Sequence, residues 1–272
     1  MTPDPSYRRF AAPPQLRGVV EHVWVVRCPP APEVEIVLPD GHGVVQVVVG
    51  KVPTLRGPSG RAEPDGTGIR GPLRHTRVRT QPGSVRLGAQ LHPLGLARLL
   101  GPVPPLVDAL VPADPVLSGD QVRSVSELLE RGSDAEAAAA LLDQLAAAPR
   151  YDSPEADLLD DALEQVAVLR GLVRPADLAR TAGVALPVLH RSFTALLGQD
   201  PAAHLAAVRF STFVRESVGL GSVTPSRVLA AVEWYVRAGY PPREVERFTG
   251  LPPAELRRVA EWLADEVGEP AR

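Results

Sequence analysis

The chain has 272 residues, 44% hydrophobic and 22% charged, which is enough for two domains with real cores. It has no uninterrupted apolar run near twenty residues and nothing that reads as a signal peptide, so neither a membrane span nor export is expected. Cys28 is the only cysteine, which excludes an intramolecular disulfide and points to a reducing, cytoplasmic setting, and a net charge of −3 excludes a chain that is basic throughout.

In chain order, residues 17 to 50 contain two runs rich in Val and Ile, RGVVEHVWVVRC and EVEIVLPDGHGVVQVVVG. The second is broken at Pro39, Asp40 and Gly41 and predicts a hairpin. Further short runs at 73 to 80 and 84 to 91 are punctuated by Gly and Pro at 57 to 60, 64 to 72 and 82 to 83, and predict a compact β sandwich or barrel. Asp40 beside Gly41 fits a turn better than a general base. His42, His75 and His92 lack any close ligand spacing, so they read as turn and strand-end histidines and no metal is expected. Lys51, Arg56, Arg61, Arg70, Arg74, Arg77, Arg79 and Arg86 face only Glu63 and Asp65 in sequence; a solvated basic loop is the plain reading, an anionic effector the sharper one. No Ser/His/Asp or Cys/His arrangement can be assembled, so neither an enzyme nor a cofactor is expected.

From about residue 93 the apolar spacing lengthens to that of helices, with PLGLARLLG, DQVRSVSELLERG and DAEAAAALLDQLAAAP, the last rich in helix-favouring alanine. PRYDSPEA, at 149 to 156, has the turn formers and charges of a linker.

Residues 175 to 214 carry the strongest pattern. Pro175 suits a first helical position, Leu178 and Ala182 give an apolar side, and Gly183 supplies a left-handed turn. A second helix is predicted from about Leu186 to Leu197, with Leu186, Leu189, Phe193 and Leu196 as one buried stripe. Pro187, His190, Arg191 and Thr194 then point outward, where they could enter a major groove. Gly198 stops that helix, Asp200 caps the next, and Leu205, Val208 and Val214 give the third an apolar side. Between 170 and 215, Arg170, Arg174, Arg180, Arg191, Arg209 and Arg215 outnumber Asp177 and Asp200, the kind of excess that phosphate contact uses. An ordinary helical core without a DNA role is the competing reading.

Leu189, Arg191, Phe193, Gly198, Pro201, Leu205 and Arg209 stand at the spacing of the first helix-turn-helix of AraC/XylS-type transcriptional regulators, and the stretch resembles that motif over about forty residues. The resemblance implies two helix-turn-helix units joined by a linker helix over 201 to 218, with recognition helices in successive major grooves and Arg209 as the linker-helix arginine, which orders that helix or meets phosphate. Trp24, the turn Leu38 to Gly41 and the segment GAQLHPLG from Gly88 to Gly95 resemble, more loosely, an uncharacterised β-rich N-terminal domain found in one branch of the family. By analogy that domain senses a small-molecule effector, contacts RNA polymerase or another regulator, or forms a homodimer. Leu128, Leu129, Leu141, Leu142 and Leu145 would supply a dimer interface or pack within the chain.

A 67-residue shift lays VLRGLVRPADLARTAGVALPVLHRSFTALL over YVRAGYPPREVERFTGLPPAELRRVAEWLA without a gap, so a second unit is predicted, with Arg257 and Arg258 in the places of His190 and Arg191. Two departures stand out: an extra helix near 225 to 238, and Glu261 in the place of Thr194 amid Glu255, Asp265 and Glu266. A carboxylate there repels phosphate, so the second unit is expected to bind DNA weakly or to contact protein. Trp234, Tyr235 and Trp262 read as core. The sequence therefore predicts an α+β chain: a β-rich barrel-like or sandwich-like domain over 1–115, a helical connection over 116–148, a linker over 149–156, and an all-α double helix-turn-helix domain over 157–272. The expected function is an AraC-type regulator binding double-stranded DNA through Pro187, His190, Arg191, Thr194, Arg209, Arg257 and Arg258. An adaptor that docks on another transcription protein through the acidic second unit is the alternative.

Overall fold

The computed structural model describes residues 7–30, 33–81, 83–151, 153–218 and 223–267. Pro82 in a predicted turn, Asp152 in the linker, and the outermost parts of both predicted domains, 1–6 and 268–272, lie outside the described residues. The N-terminal part forms β1 (Tyr7–Ala11), β2 (Val20–Arg27), β3 (Glu33–Val37), β4 (Val44–Gly50), β5 (Thr54–Arg56), β6 (Ala62–Pro64), β7 (Gly68–Arg70), β8 (Arg77–Gln81), β9 (Ser84–Leu91) and β10 (Leu110–Val111). They make two antiparallel sheets, one ordered β1-β2-β9-β4-β7-β10 and the other β3-β8-β5-β6. The helices are α1 (Gly95–Leu100), α2 (Gly119–Glu130), α3 (Asp134–Ala147), α4 (Pro154–Val168), α5 (Pro175–Thr181), α6 (Leu186–Leu197), α7 (Pro201–Val218), α8 (Pro225–Arg237), α9 (Pro242–Thr249) and α10 (Pro253–Val267). Among the described residues no helix is long and apolar enough to cross a membrane.

The expected hairpin over 33 to 50 does not form. β3 pairs with β8, placing Glu35 opposite Arg79, whereas β4 pairs with β9 and β7, so the Pro39-Asp40-Gly41 turn carries the chain from one sheet to the other. The physical reason lies in what fills the space between the sheets. Alternate residues of a strand face opposite sides, and here the inward set is polar: Glu35, Gln46, Arg70, Arg79, Gln81 and Arg86, with Asp65 reaching in from the loop before β7. Asp65 accepts from Arg70 Nε at 3.1 Å and from Arg79, while Glu35 accepts from Arg79 Nη1 at 3.0 Å and Arg86 Nη2 at 2.9 Å. Arg86 also lies over the Trp24 ring, 5.2 Å from its centroid. Burial would raise both carboxyls, but the arginines outweigh it and hold Asp65 and Glu35 below the ordinary carboxylate range. The basic stretch expected as a solvated loop is thus partly interior: Arg70, Arg79 and Arg86 are buried because two carboxylates meet them there.

With the polar faces inward, the apolar faces of both sheets look outward and need helices. Val23, Val25, Val45, Val47, Leu87 and Ala89 pack with Val125 and Leu129 of α2 and with Leu141 and Leu145 of α3, in a core that runs on through α1 to Leu159, Leu178, Leu189 and Phe193. Of the leucines considered for dimer contact, Leu129, Leu141, Leu142 and Leu145 are therefore buried within the chain. The second sheet turns Ile36 and Val78 outward, and with Leu38 they share a core with Phe210, Phe213 and Val214 of α7, Val228 and Val232 of α8, and Leu256 and Leu263 of α10.

At the junction of β domain and α7, His204 is 1% exposed and edge-on to Phe193, with ring centroids 5.7 Å apart. Its ring lies against Gly41, where φ is +80° and an added Cβ would stand 2.5 Å from His204 Cε1, so both backbone and space demand glycine. Among the described residues neither ring nitrogen has a hydrogen-bond partner, and burial brings the imidazole down to about 4.

Two predictions follow from these buried charges and imidazoles. Asp65→Asn leaves Arg70 and Arg79 without their shared carboxylate and should cost about 3–5 kcal/mol in urea unfolding; a loss below about 1 kcal/mol would show the network to be dispensable. Because His204, and likewise His22 and His92 at about 4, must lose a proton to fold, their stabilising contribution is complete above the usual 6.5 and declines as pH falls towards 4. The slope is about 1.4 kcal/mol per pH unit for each proton taken up on unfolding. His204→Gln should flatten that slope in unfolding curves taken across the window; an unchanged slope would mean that His204 is not held neutral.

Candidate nucleic-acid interface

α5 and α6 form because punctuation and periodicity agree. Pro175 opens α5, and Asp177 in its first turn is held by Arg174 and Arg180, with N–O distances of 2.8 and 3.1 Å. Gly183 turns the chain with φ +65°, and α6 follows with Pro187 in its first turn. Leu189, Phe193, Leu196 and Leu197 are its buried face, and Gly198 ends it at φ +71°. An added Cβ at Gly198 would meet Val107 Cγ2 at 2.2 Å, so this stop is also where α6 rests on the β domain's trailing segment. Asp200 Oδ1 then accepts from the Ala203 amide at 2.9 Å and caps α7. Leu186, expected in the buried stripe, is 40% exposed, because it sits at the very start of α6, ahead of the turn that rests on the core.

The opposite face of α6 is open. Pro187, His190, Arg191 and Thr194 are all exposed, and among the described residues neither Arg191 nor His190 has an ion pair or side-chain hydrogen bond. A guanidinium so placed gives up only water on meeting a phosphate or a guanine edge. Arg209 has a different setting. It is half-buried, and its Nη1 donates to the Gly171 carbonyl at 3.0 Å, tying α7 to the loop between α4 and α5.

The internal repeat is more extensive than the sequence alignment suggested. α9 and α10 start 67 residues after α5 and α6, Gly250 takes φ +74° where Gly183 takes +65°, and α8 falls where the same offset places α4. The extra helix is thus the counterpart of α4, and the C-terminal half is two three-helix repeats joined by α7. Their cores correspond: Leu178, Leu189 and Leu196 match Val245, Leu256 and Leu263, all buried.

The surroundings of the repeats differ. Arg257, Arg258 and Glu261 are exposed on α10, but Arg258 also borders a cleft against the β domain, and Glu266 pairs with Arg56 of β5. That ion pair and the shared core with Ile36, Leu38 and Val78 join partners too distant in sequence for any local pattern to reveal. Trp234, expected in the core, is 58% exposed and stacks edge-on with Tyr235, which is itself part-buried; Tyr240 and Phe248 are each 44% exposed. α8 buries Val228, Leu229 and Val232 instead, which turns Trp234 away from the core.

The β-rich N-terminal part and the paired helix-turn-helix units define the architecture against which known proteins were compared. No protein-family model matches the chain, and no curated protein sequence matches it. Among solved structures, the crystal structure of the AraC-like transcriptional activator CuxR is 16% identical over 65% of this chain and 70% of its own, with a TM-score of 0.32. ToxT from Vibrio cholerae O395 is 8% identical over 95% and 94% of the two chains, with a TM-score of 0.36. A second ToxT structure, from Vibrio cholerae strain SCE256 without ligand, is 9% identical over 96% and 95%, with a TM-score of 0.41.

The two turn glycines give a direct test of how differently the repeats are held. An added Cβ at Gly183 meets nothing within 4 Å, whereas at Gly250 it would stand 2.2 Å from the Ala206 carbonyl oxygen of α7. Gly183→Ala should cost about 1–2 kcal/mol, the backbone penalty alone, and Gly250→Ala distinctly more. Equal losses in thermal or urea unfolding would contradict the packing of the second turn on α7.

Proposed function

We propose that the chain is a sequence-specific DNA-binding transcriptional regulator of the AraC type, reading operator DNA mainly through α6, and that it is not an enzyme. The observation that carries this reading is the outward face of α6. Pro187, His190, Arg191 and Thr194 are exposed on the second helix of a tight helix-turn-helix, with Arg191 free of any internal partner among the described residues. Arg191 and His190 are the base-reading candidates; Arg209 orders α7 through Gly171 and so fixes how the first unit is presented. Arg257 and Arg258 make secondary contacts, opposed by Glu261. The protein acts in the cytoplasm, as a homodimer, under the control of a small-molecule effector or a partner protein.

A second reading has its own support. An exposed Trp beside exposed Tyr and Phe is uncommon on a monomer's surface and typical of protein contacts, and Trp234, Tyr240 and Phe248 lie on the second repeat. In that reading the second repeat docks on RNA polymerase or another regulator.

The test is titration of the full chain against duplexes from its own upstream region and against random duplexes, across salt, by fluorescence anisotropy. Specific binding should weaken by about 1–3 kcal/mol in Arg191→Ala, with the fold unchanged by circular dichroism. A folded protein that shows no sequence preference at low salt would transfer the assignment to the adaptor.

A further inference from the structure

Between the β domain and the second repeat lies a cleft of about 840 Å³, within the size of small-molecule sites, which favour domain boundaries. Its apolar wall comes from α7 and α10, with Ala203, Ala207 and Phe210 on the first and Trp262 on the second. Its charge comes from Arg74 and Arg77 of the β domain and from Arg258 of α10. Those cations are not fully answered. Arg74 and Arg77 share the single carboxylate of Asp108, at 4.0 and 3.5 Å, and Arg77 Nε is buried without a partner. Arg258 has no ion pair among the described residues, its Nε reaching only the Ala254 carbonyl at 3.5 Å. Of the two acids at the cleft, Asp200 is engaged in capping α7 and Glu255 is exposed. An apolar wall with a surplus of guanidinium is complementary to an apolar body bearing one negative charge.

We propose that this cleft is an effector site for a small molecule with an apolar body and one acidic head group, and that the bound acid engages Arg258, so that effector and DNA compete for the second recognition helix. The proposal rests on the regulator reading for its second half only. Arg258 holds the place in α10 that Arg191 holds in α6, and a guanidinium paired with a carboxylate or sulfonate in the cleft is unavailable to phosphate. Coupling between two ligands is reciprocal, so DNA must weaken the effector by the same factor.

The probes are anilinonaphthalene sulfonate, which is apolar and acidic, and the uncharged phenylnaphthylamine, added to the full chain and followed by fluorescence. The sulfonate should bind saturably, one per chain. Ala203→Trp, which fills the cleft from an exposed position on α7, should weaken it at least tenfold, and Arg77→Met roughly tenfold, the effect of about 1.4 kcal/mol. Both variants should keep the wild-type melting midpoint, and the uncharged dye should bind poorly to every form. Added to a duplex complex, the sulfonate should lower duplex affinity in wild type and not in Ala203→Trp. Sulfonate binding that ignores Ala203→Trp would overturn the site, equal binding of the uncharged dye would overturn the acidic head group, and undiminished duplex affinity would overturn the competition. If no duplex binds at low salt, the regulator reading and the competition fall together, while the two variants still decide the ligand site.

Discussion

The paired carboxylates between the two sheets, Asp65 joined to Arg70 and Arg79 and Glu35 joined to Arg79 and Arg86, are the interaction on which the rest of the molecule depends. Burying charge is costly unless each group is met, and here each carboxylate is met twice. Filling the middle of the sandwich in this way forces Val and Ile on both sheets to face outward. A β domain of this kind cannot stand bare. One outer face is covered by α2 and α3, and the other by α7, α8 and α10, so the same alternation that hides the ions also recruits the helical half. The sensor-like and DNA-reading parts are therefore fastened by a hydrophobic core and not merely tethered by 149–156.

The C-terminal half shows how one pattern can be put to two uses. The turn and core positions of both repeats match, because a left-handed glycine and three buried aliphatics are what a tight helix pair requires. What differs is the neighbour. The first repeat presents α6 to solvent, while the second leans α10 on β5 through Arg56 and Glu266 and wedges its turn against α7. Glu261 and the exposed aromatics of α8 add to that difference.

Much of the helical half was legible in the sequence because its signals are local: Pro175, Gly183 and Gly198 set the boundaries of α5 and α6 to within a residue, and the 67-residue echo located α9 and α10. The β half was legible only as strands. Which strand pairs with which depends on contacts across the sandwich, such as Glu35 with Arg86, and a Pro-Asp-Gly turn looks the same whether it closes a hairpin or crosses between sheets. Trp234 and Leu186 went astray for a related reason: helical spacing shows which residues share a face, and not where along the helix the core ends. The outward set on α6 was readable because exposure there is simply the complement of a buried stripe. The cleft beside Arg258 was not, being made of three segments that meet only in the folded chain.

α7 belongs to both cores, through Leu205 to the first and through Phe210, Phe213 and Val214 to the second. Its 18 residues span about 27 Å at 1.5 Å per residue, and with both ends embedded it can neither stretch nor swivel freely. It therefore acts as a ruler. The distance and the rotational phase between the two reading helices are written into the length of one helix, so that a single inserted residue there would advance the second unit by about 1.5 Å and turn it by about 100°. Any pair of DNA half-sites that the two units read together inherits its spacing from that length.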